Sequence, residues 1–267
     1  MKIALFGSVD ATWEKMIHDD GHVVHSIWLQ PTKKLSASIV SLAEKQGSAI
    51  YFQRISRDNL LDLAEEGVEL LISMGYPFLI PTDTPLKGLN IHPSLLPDGR
   101  GPFPIPAILN EHRDAAGFTV HKISAQFDCG DIVYQEGFEL CDHDTCDTLL
   151  IRMYMRSANA MRAILKDLPY HWNSSKAQTA APQWEARSPP STQFRPELPL
   201  EQNVRMCRTY GAGSCLIRVG DSTAIVNSVD GWKEAHALEP GTVVSRDERR
   251  IVIAVSDGFA VVMYSSP

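Results

Sequence analysis

Val68 to Met74 reads Val-Glu-Leu-Leu-Ile-Ser-Met and stops at Gly75 and Pro77. So short and nearly continuous an apolar run marks a strand covered on both faces, as in the middle of a parallel sheet. The segments before it repeat the theme. Lys2–Phe6 is an apolar run ending in Gly7-Ser8, and Trp13–Ile17 is a short helical stretch closed by Gly21. His22–Leu29 reads as a second strand, Ser36–Lys45 has helical spacing and Ala49–Phe52 is strand-like. Arg57–Glu66 is an amphipathic helix closed by Gly67. Strand and helix signals in alternation specify an α/β protein, a mostly parallel sheet with helices on both faces.

Phe118–Ile123 and Ile132–Leu140 are strand-like again, and a long helix is expected from about Asp144 to Leu165. Its start offers Asp144 or Thr145 as N-cap and acidic Asp147 in the first turn. Residues 168–200 change character. Pro169, Pro182, Pro189, Pro190, Pro196 and Pro199 lie among Ser, Thr and Gln, a connector with little regular structure. A helix over Leu200–Tyr210 then leads into five short runs: Ser214–Val219, Ser222–Val229, Gly241–Ser245, Arg249–Val255 and Ala260–Tyr264. Gly220-Asp221, Asp230-Gly231 and Asp257-Gly258 punctuate them as turns, the pattern of a small β-barrel or sandwich. The expected domains are 1–168, a connector over 169–200, and 201–267.

Apolar residues make up 44% of the chain, too many for a disordered one and enough for a core. The longest apolar runs fall far short of the roughly 18 residues that span a bilayer, so no membrane segment is expected. The apolar start is too short for a signal peptide. Cys129, Cys141, Cys146, Cys207 and Cys215 are odd in number and scattered, which argues against a disulfide framework and for a cytoplasmic protein. The net charge of −7 is opposite to the basic footprint of a polyanion binder and directs attention to small-molecule substrates.

The stretch richest in chemistry is Leu89-Asn90-Ile91-His92-Pro93-Ser94-Leu95-Leu96-Pro97-Asp98-Gly99-Arg100-Gly101-Pro102. If Lys87–Ile91 is a strand, Asn90 and His92 share one face at its C-terminal end, where open parallel sheets place ligands. A second stretch runs Gly117-Phe118-Thr119-Val120-His121, followed by Gln126-Phe127-Asp128-Cys129-Gly130-Asp131-Ile132. Each piece has a plainer reading: His92 as a loop or capping residue, Asn90 closing a turn, Asp128 or Asp131 capping at Gly130. Together they bring an amide donor, an imidazole and a carboxylate to one sheet edge. That set suits acyl transfer, in which an oxyanion is stabilised and an amine loses a proton.

These two stretches resemble the signature of the 10-formyltetrahydrofolate-dependent formyltransferases, the family that includes methionyl-tRNA and glycinamide ribonucleotide formyltransferases. The matching residues are Asn90-x-His92-Pro93-Ser94-Leu95-Leu96-Pro97, Gly117-x-Thr119-x-His121 and Asp128-x-Gly130-Asp131-Ile132. The resemblance implies a Rossmann-like catalytic domain over 1–168. It also implies an OB-like barrel over 201–267, where Pro240-Gly241-Thr242-Val243 looks like the domain appended to the methionyl-tRNA enzyme. By the same resemblance Asn90 and a protonated His92 would stabilise the oxyanion. Asp128 would favour the charged imidazole and help relay the amine's proton. The donor, 10-formyltetrahydrofolate, would lie against the loops carrying Met74, Gly75, Tyr76, Phe78, Leu79 and Ile80, and Ser124 and Phe127. The acceptor would face Ser94, Leu95, Leu96, Arg100, Gly101 and Pro102.

Asp98-Gly99-Arg100-Gly101 departs from the aromatic-Arg-Gly usual in the methionyl-tRNA enzyme, and Pro102, Pro104 and Pro106 follow it. The early region where that enzyme carries a basic insertion offers only Lys33 and Lys34. The last 67 residues hold seven basic residues, Arg205, Arg208, Arg218, Lys233, Arg246, Arg249 and Arg250, against eight acidic. A tRNA cradle needs clustered positive charge. The expected function is therefore N-formylation of a primary amine on a small metabolite, first a nucleotide-linked amino sugar. Methionyl-tRNA, and hydroxyornithine or another amino acid of secondary metabolism, stand as alternatives. A hydrolase of the donor would be expected to carry a regulatory domain ahead of the strand at Lys2. The barrel could serve as a structural cap or a homodimer contact.

Other motifs carry less. Cys141-Asp142-His143-Asp144-Thr145-Cys146 has metal-binding residue types without a second ligand pair, so no metal is expected. His18, His22 and His25 read as surface or strand residues, and Gly211-Ala212-Gly213 follows a helix and is no dinucleotide motif. Trp172 and Trp184 are expected to pin the connector to the core.

Overall fold

β1 (Lys2–Gly7) and β4 (Leu70–Met74) lie side by side and parallel, Ile3 opposite Leu70 and Gly7 opposite Met74, both buried almost throughout. The structure is a computed structural model that describes residues 1–8, 11–31, 36–185, 193–211, 214–219 and 222–265. Around that central pair the sheet extends to β2 (Val23–Trp28) and β3 (Ala49–Tyr51) on one side. On the other side follow β5 (Lys87–His92), β6 (Gly117–Lys122) and β7 (Ile132–Gly137). The order is β3-β2-β1-β4-β5-β6-β7, parallel as far as β5, with β6 and β7 antiparallel. α1 (Ala11–Asp19) and α2 (Ala37–Gln46) pack on each other and on β2, while α3 (Arg57–Glu65) buries Leu60 and Leu63 in a cluster with Ala4 and Phe6 of β1 and Leu71 of β4. The order reverses between β1 and β4, which opens a crevice at their C-terminal ends.

Local signals set these elements. Ser36 caps α2 by accepting from the Ile39 N–H, and Gly47 closes it in the left-handed conformation. Ser56 and Asn59 form a reciprocal capping box on α3. The long helix is α5 (Cys146–Lys166), preceded by the short α4 (Ile105–Asn110) that sequence periodicity did not single out. Of the two N-cap candidates Thr145 serves, exchanging side-chain and backbone bonds with Thr148. No helix among the described residues is long and apolar enough to cross a membrane.

The chain divides into two compact units, Met1–Ile108 with His112–Leu140 and Leu150–Ala186, and Leu109–Glu111 with Cys141–Leu149 and Arg187–Pro267. The expectation of an irregular connector after 168 is corrected. Leu168–Asn173 is a helix, α6, capped by the Asp167 carboxylate on the Tyr170 N–H at 3.1 Å. Pro169 sits in its first turn, where a missing N–H costs nothing, so it starts a helix instead of breaking one. Lys176 then bridges to Ile132 of β7, and Lys87 and Lys122 lie over the Trp172 ring.

In the second unit α7 (Leu200–Tyr210) precedes β8 (Cys215–Val219), β9 (Ser222–Lys233), β10 (Val243–Arg246), β11 (Arg250–Val255) and β12 (Gly258–Ser265). They make one antiparallel sheet in the order β10-β11-β12-β9-β8. Its core gathers Cys207, Cys215, Val226, Ile251 and Val262, among others. Asp230-Gly231, expected as a turn, lies inside β9, paired with Val261 and Ala260 of β12. Glycine is needed there because a Cβ would meet the Phe259 carbonyl oxygen at 2.0 Å. Lys33 and Lys34, Pro189 and Pro190, Ala212-Gly213 and the Gly220-Asp221 turn lie outside the described residues.

Gly7 closes β1 at the reversal point with φ +93°, and a Cβ there would lie 2.1 Å from the Met74 carbonyl oxygen. Gly7→Ala should therefore destabilise the protein by about 2 kcal/mol or more. Gly47, left-handed but in open space, should cost only about 1–2 kcal/mol on the same change. Denaturant melts of the two variants check the order; a Gly7 variant no weaker than the Gly47 variant would contradict the close approach.

Candidate active site

The antiparallel register of β5 and β6 sets four polar side chains on one patch. Asn90 stands opposite His121 and His92 opposite Thr119, while Leu89 and Ile91 between them are buried in the core. His121 donates from Nδ1 to the Lys122 carbonyl at 2.8 Å, and its Nε2 lies 3.0 Å from the Asn90 side-chain nitrogen. Asn90 is thereby oriented with its second N–H unused by His121. His92 donates from Nε2 to the Gly99 carbonyl at 2.7 Å and turns Nδ1 towards Asp128 Oδ1 at 3.4 Å.

Asp128 comes from the loop between β6 and β7, with left-handed backbone (φ 56°). That loop folds back so closely that a Cβ on Gly130 would sit 1.8 Å from the Lys122 carbonyl oxygen. The nearly buried carboxylate faces His92, His121 (Oδ1 to Nε2, 3.6 Å) and the Gly101 N–H, which donates to Oδ2 at 3.0 Å. Asn90, His92 and Asp128, read from the sequence as one constellation, therefore meet in space.

Burial raises the Asp128 carboxyl, but the hydrogen bond with His121, the charges of His92 and His121 and the Gly101 N–H outweigh it, and its pKa lies below the ordinary value. His92 goes the other way from expectation. Burial pushes its pKa down, more than the Asp128 charge and the Gly99 carbonyl raise it. Burial thus opposes the protonated His92 that the family resemblance implies, while the Asp128 carboxylate at 3.4 Å and the Gly99 carbonyl favour it.

Thr119, His121, Gln135 and Gln178 complete the site, and none carried a role in the sequence reading. Thr119 accepts from the Leu96 N–H and donates to the Ser94 carbonyl, and Gln135 donates to Thr119 and the Leu96 carbonyl. Ser94 and Leu96 are buried and Ser94 donates to the Asp98 carbonyl, so these two shape the loop from inside. Leu95 is half-buried and its N–H bonds the Ala115 carbonyl. The period-2 spacing of Thr119 and His121, opposite His92 and Asn90, was the available signal for both. Gln178 had none.

Arg100 was expected to line an acceptor pocket, and its guanidinium faces inward instead. It donates to Gln178 Oε1 and to the carbonyls of Thr179 and Ala181. Gln178 passes the connection on, donating to the carbonyls of Asp128 and Gly130. Gly101 is pressed against the Trp184 backbone, while Pro102 is exposed. Among the residues expected to meet the donor, Met74, Tyr76 and Ile80 are buried, and Gly75 has φ 67°. The Tyr76 hydroxyl accepts from the Ile55 N–H and donates to the Gln53 carbonyl, with Phe78 edge-on to its ring. Ile123 packs against the cluster holding Tyr76 and Ile80, which brings the 124–128 loop to the end of β4. Leu79 is half-buried, the Ser124 hydroxyl donates to the Gln126 carbonyl, and the Phe127 ring is exposed.

Two outcomes are expected. Gln178→Ala leaves Arg100 and two carbonyls short of partners and should destabilise the protein by about 2–3 kcal/mol in denaturant melts. Because the folded state binds the His92 proton less tightly than the unfolded chain, whose value is about 6.5, stability should fall as pH drops below that value. Thermal melts between about pH 7.5 and pH 5 should show the wild type losing more than His92→Gln. Parallel curves would contradict the lowered imidazole pKa.

A methionyl-tRNA formyltransferase of Treponema denticola is 35% identical over 124 residues, 45% of this chain and 37% of that protein. The one from Idiomarina loihiensis is 23% identical over 281 aligned positions, 97% of this chain and 89% of its own. In fold, a HypX variant from Aquifex aeolicus matches with a TM-score of 0.69 at 15% identity, covering 98% of this chain and 43% of HypX. WlaRD, a sugar 3N-formyl transferase solved in the presence of dTDP and 5-N-formyl-THF, matches with a TM-score of 0.62 at 19% identity, covering 99% and 97%. The chain thus spans less than half the length of the Treponema relative and of HypX. Residues 24–165, more than half of the chain, match the formyl transferase family model, and the chain belongs to that family.

Proposed function

We propose that the protein transfers the formyl group of 10-formyltetrahydrofolate to a primary amine of a small metabolite, with a nucleotide-linked amino sugar as the favoured acceptor. The observation that carries this is the convergence of Asn90, His92 and Asp128 at the end of β5 in a chain of the formyl transferase family. The acceptor amine attacks the formyl carbon, forming a new nitrogen–carbon bond and a tetrahedral oxyanion. The free N–H of Asn90 and the Nε2–H of His92, exchanged from the Gly99 carbonyl, donate to that oxygen. The ionised Asp128 takes up the amine's proton, directly or through water. The oxyanion then collapses, the bond to the folate nitrogen breaks, and the proton passes to that nitrogen, leaving tetrahydrofolate and a formamide. In this reading the loops at 74–80 and 124–128 hold the donor, the five-stranded unit is an OB-like appendage, a structural cap or a homodimer contact, and the enzyme works in the cytoplasm.

Net charge −7 supports a small acceptor over a polyanion. The nearly end-to-end likeness to WlaRD supports a sugar. Methionyl-tRNA stands as the second reading because the Idiomarina relative, so named, aligns over 97% of the chain.

Tetrahydrofolate formation measured with nucleotide-linked amino sugars, hydroxyornithine and methionyl-tRNA in parallel tests the proposal. Turnover with a sugar acceptor is expected. Efficient formylation of methionyl-tRNA alone would replace the acceptor, and formate release without any acceptor would make the protein a hydrolase. Asn90→Ala and His92→Ala should each lower kcat by about 10²–10³, and Asp128→Asn by about 10²–10⁴, with unchanged circular dichroism.

A further inference from the structure

Among the described residues, two that are not glycine hold the left-handed backbone conformation, Asp128 at φ 56° and Phe103 at φ 55°. For aspartate that conformation is a tolerated one, but for a bulky ring it is a steric outlier. The two strained positions belong to loops joined by one hydrogen bond, from the Gly101 N–H to Asp128 Oδ2. Strain of this kind persists where the surroundings over-determine it, and it collects at functional sites.

Burial does not account for Phe103, since 43% of the residue is exposed. Buried Pro104 follows it and restricts its backbone, while Pro102 before it fixes its own φ and restricts Gly101. The loop leading to it has no slack: a Cβ on Gly99 would meet Ser94 at 2.7 Å and Pro104 at 3.2 Å, and one on Gly101 would meet the Trp184 carbonyl at 2.7 Å. His92 holds the same loop through the Gly99 carbonyl. An apolar ring is therefore presented to solvent, in a fixed backbone conformation, two residues beyond the amide that bonds the catalytic carboxylate. The backbone that carries the ring is thus set before any ligand arrives, which lowers the ordering cost of binding.

The geometry points to Phe103 as a specificity-determining residue whose ring stacks on a planar or apolar ring face of the amine-bearing acceptor. This rests on the small-molecule acceptor reading above. A nucleobase and the apolar face of a sugar ring offer the same chemistry to a phenyl group, flat and uncharged. The loop it stands on is the one expected to meet the acceptor, while Phe127, also exposed, stands on the loop expected to meet the donor.

The test compares wild type, Phe103→Ala and Phe103→Tyr with three acceptors: a nucleotide-linked amino sugar, the same amino sugar as its 1-phosphate, and acyclic hydroxyornithine. Phe103→Ala should raise the KM of a ring-bearing acceptor roughly tenfold, with kcat within about twofold, the donor KM unchanged and Phe103→Tyr close to wild type. A KM rise confined to the nucleotide-linked acceptor identifies the nucleobase as the stacked ring, and a rise shared with the 1-phosphate identifies the sugar. Equal KM values for wild type and Phe103→Ala with a sugar acceptor would overturn the assignment while leaving the acceptor reading intact. So would a loss of kcat equal across all three acceptors, or one that Phe103→Tyr does not restore. A wild type that turns over none of the ring-bearing acceptors overturns the acceptor reading and the assignment with it. Thermal melts of Phe103→Ala, expected to match wild type because alanine keeps the Cβ that the left-handed backbone must accommodate and the ring removed is exposed, separate these results from misfolding.

Discussion

A carboxylate removed from water must be repaid by its neighbours, and the arrangement around Asp128 follows from that requirement. An uncompensated buried charge would be neutralised by taking up a proton. Here two imidazoles and the Gly101 N–H face it, and its pKa stays below the ordinary value in spite of burial. Each imidazole has a further bond that ties it elsewhere. His92 reaches the Gly99 carbonyl, and His121 reaches Asn90 and the Lys122 carbonyl. The charge thus holds together the end of β5, the end of β6 and the loop after Leu96.

The change from parallel to antiparallel pairing after β5 makes this possible. In a parallel pair, strand ends point the same way and their loops carry the site. An antiparallel β6 instead brings the middle and end of a strand back past Asn90 and His92, so that Thr119 and His121 stand directly opposite them. Four polar side chains on a sheet surface are acceptable because each finds a partner on the neighbouring strand or in the loop it supports.

Much of this was legible from residue order, for reasons that differ by residue. Strands β1 to β5 and helices α1 to α3 show their burial period and their capping residues in consecutive letters, and Asn90 and His92 share a face because they are two apart. The forces on the His92 proton were half legible, because a neighbouring carboxylate is visible in a sequence and the depth of burial is not. The partners of Arg100 were not legible: a guanidinium in a glycine-rich loop looks available, and only the fold shows Gln178, Thr179 and Ala181 taking its donors. Gln178 itself lies among prolines and polar residues with no period. Bonds from a side chain to distant backbone leave no trace in local pattern. Asp230-Gly231 misled in the opposite direction, since a glycine that admits a neighbouring strand spells the same as one that turns the chain.

The site therefore combines parts with different tolerance to change. Asn90, His92 and Asp128 are placed by strand register and by mutually dependent hydrogen bonds, so a shift in any one disturbs the others. The segment from Asp98 to Pro104 is anchored at Gly99 and Gly101 through its backbone, which leaves its outward side chains free of that network. Outward side chains there can vary without disturbing the buried carboxylate, whereas Arg100, linked through Gln178 to the Asp128 and Gly130 carbonyls, and the glycines and prolines that set the backbone cannot. Chemistry built into a sheet and selectivity carried on a backbone-anchored loop can then change independently, which is the physical reason a loop departing from the family pattern leaves the catalytic constellation whole.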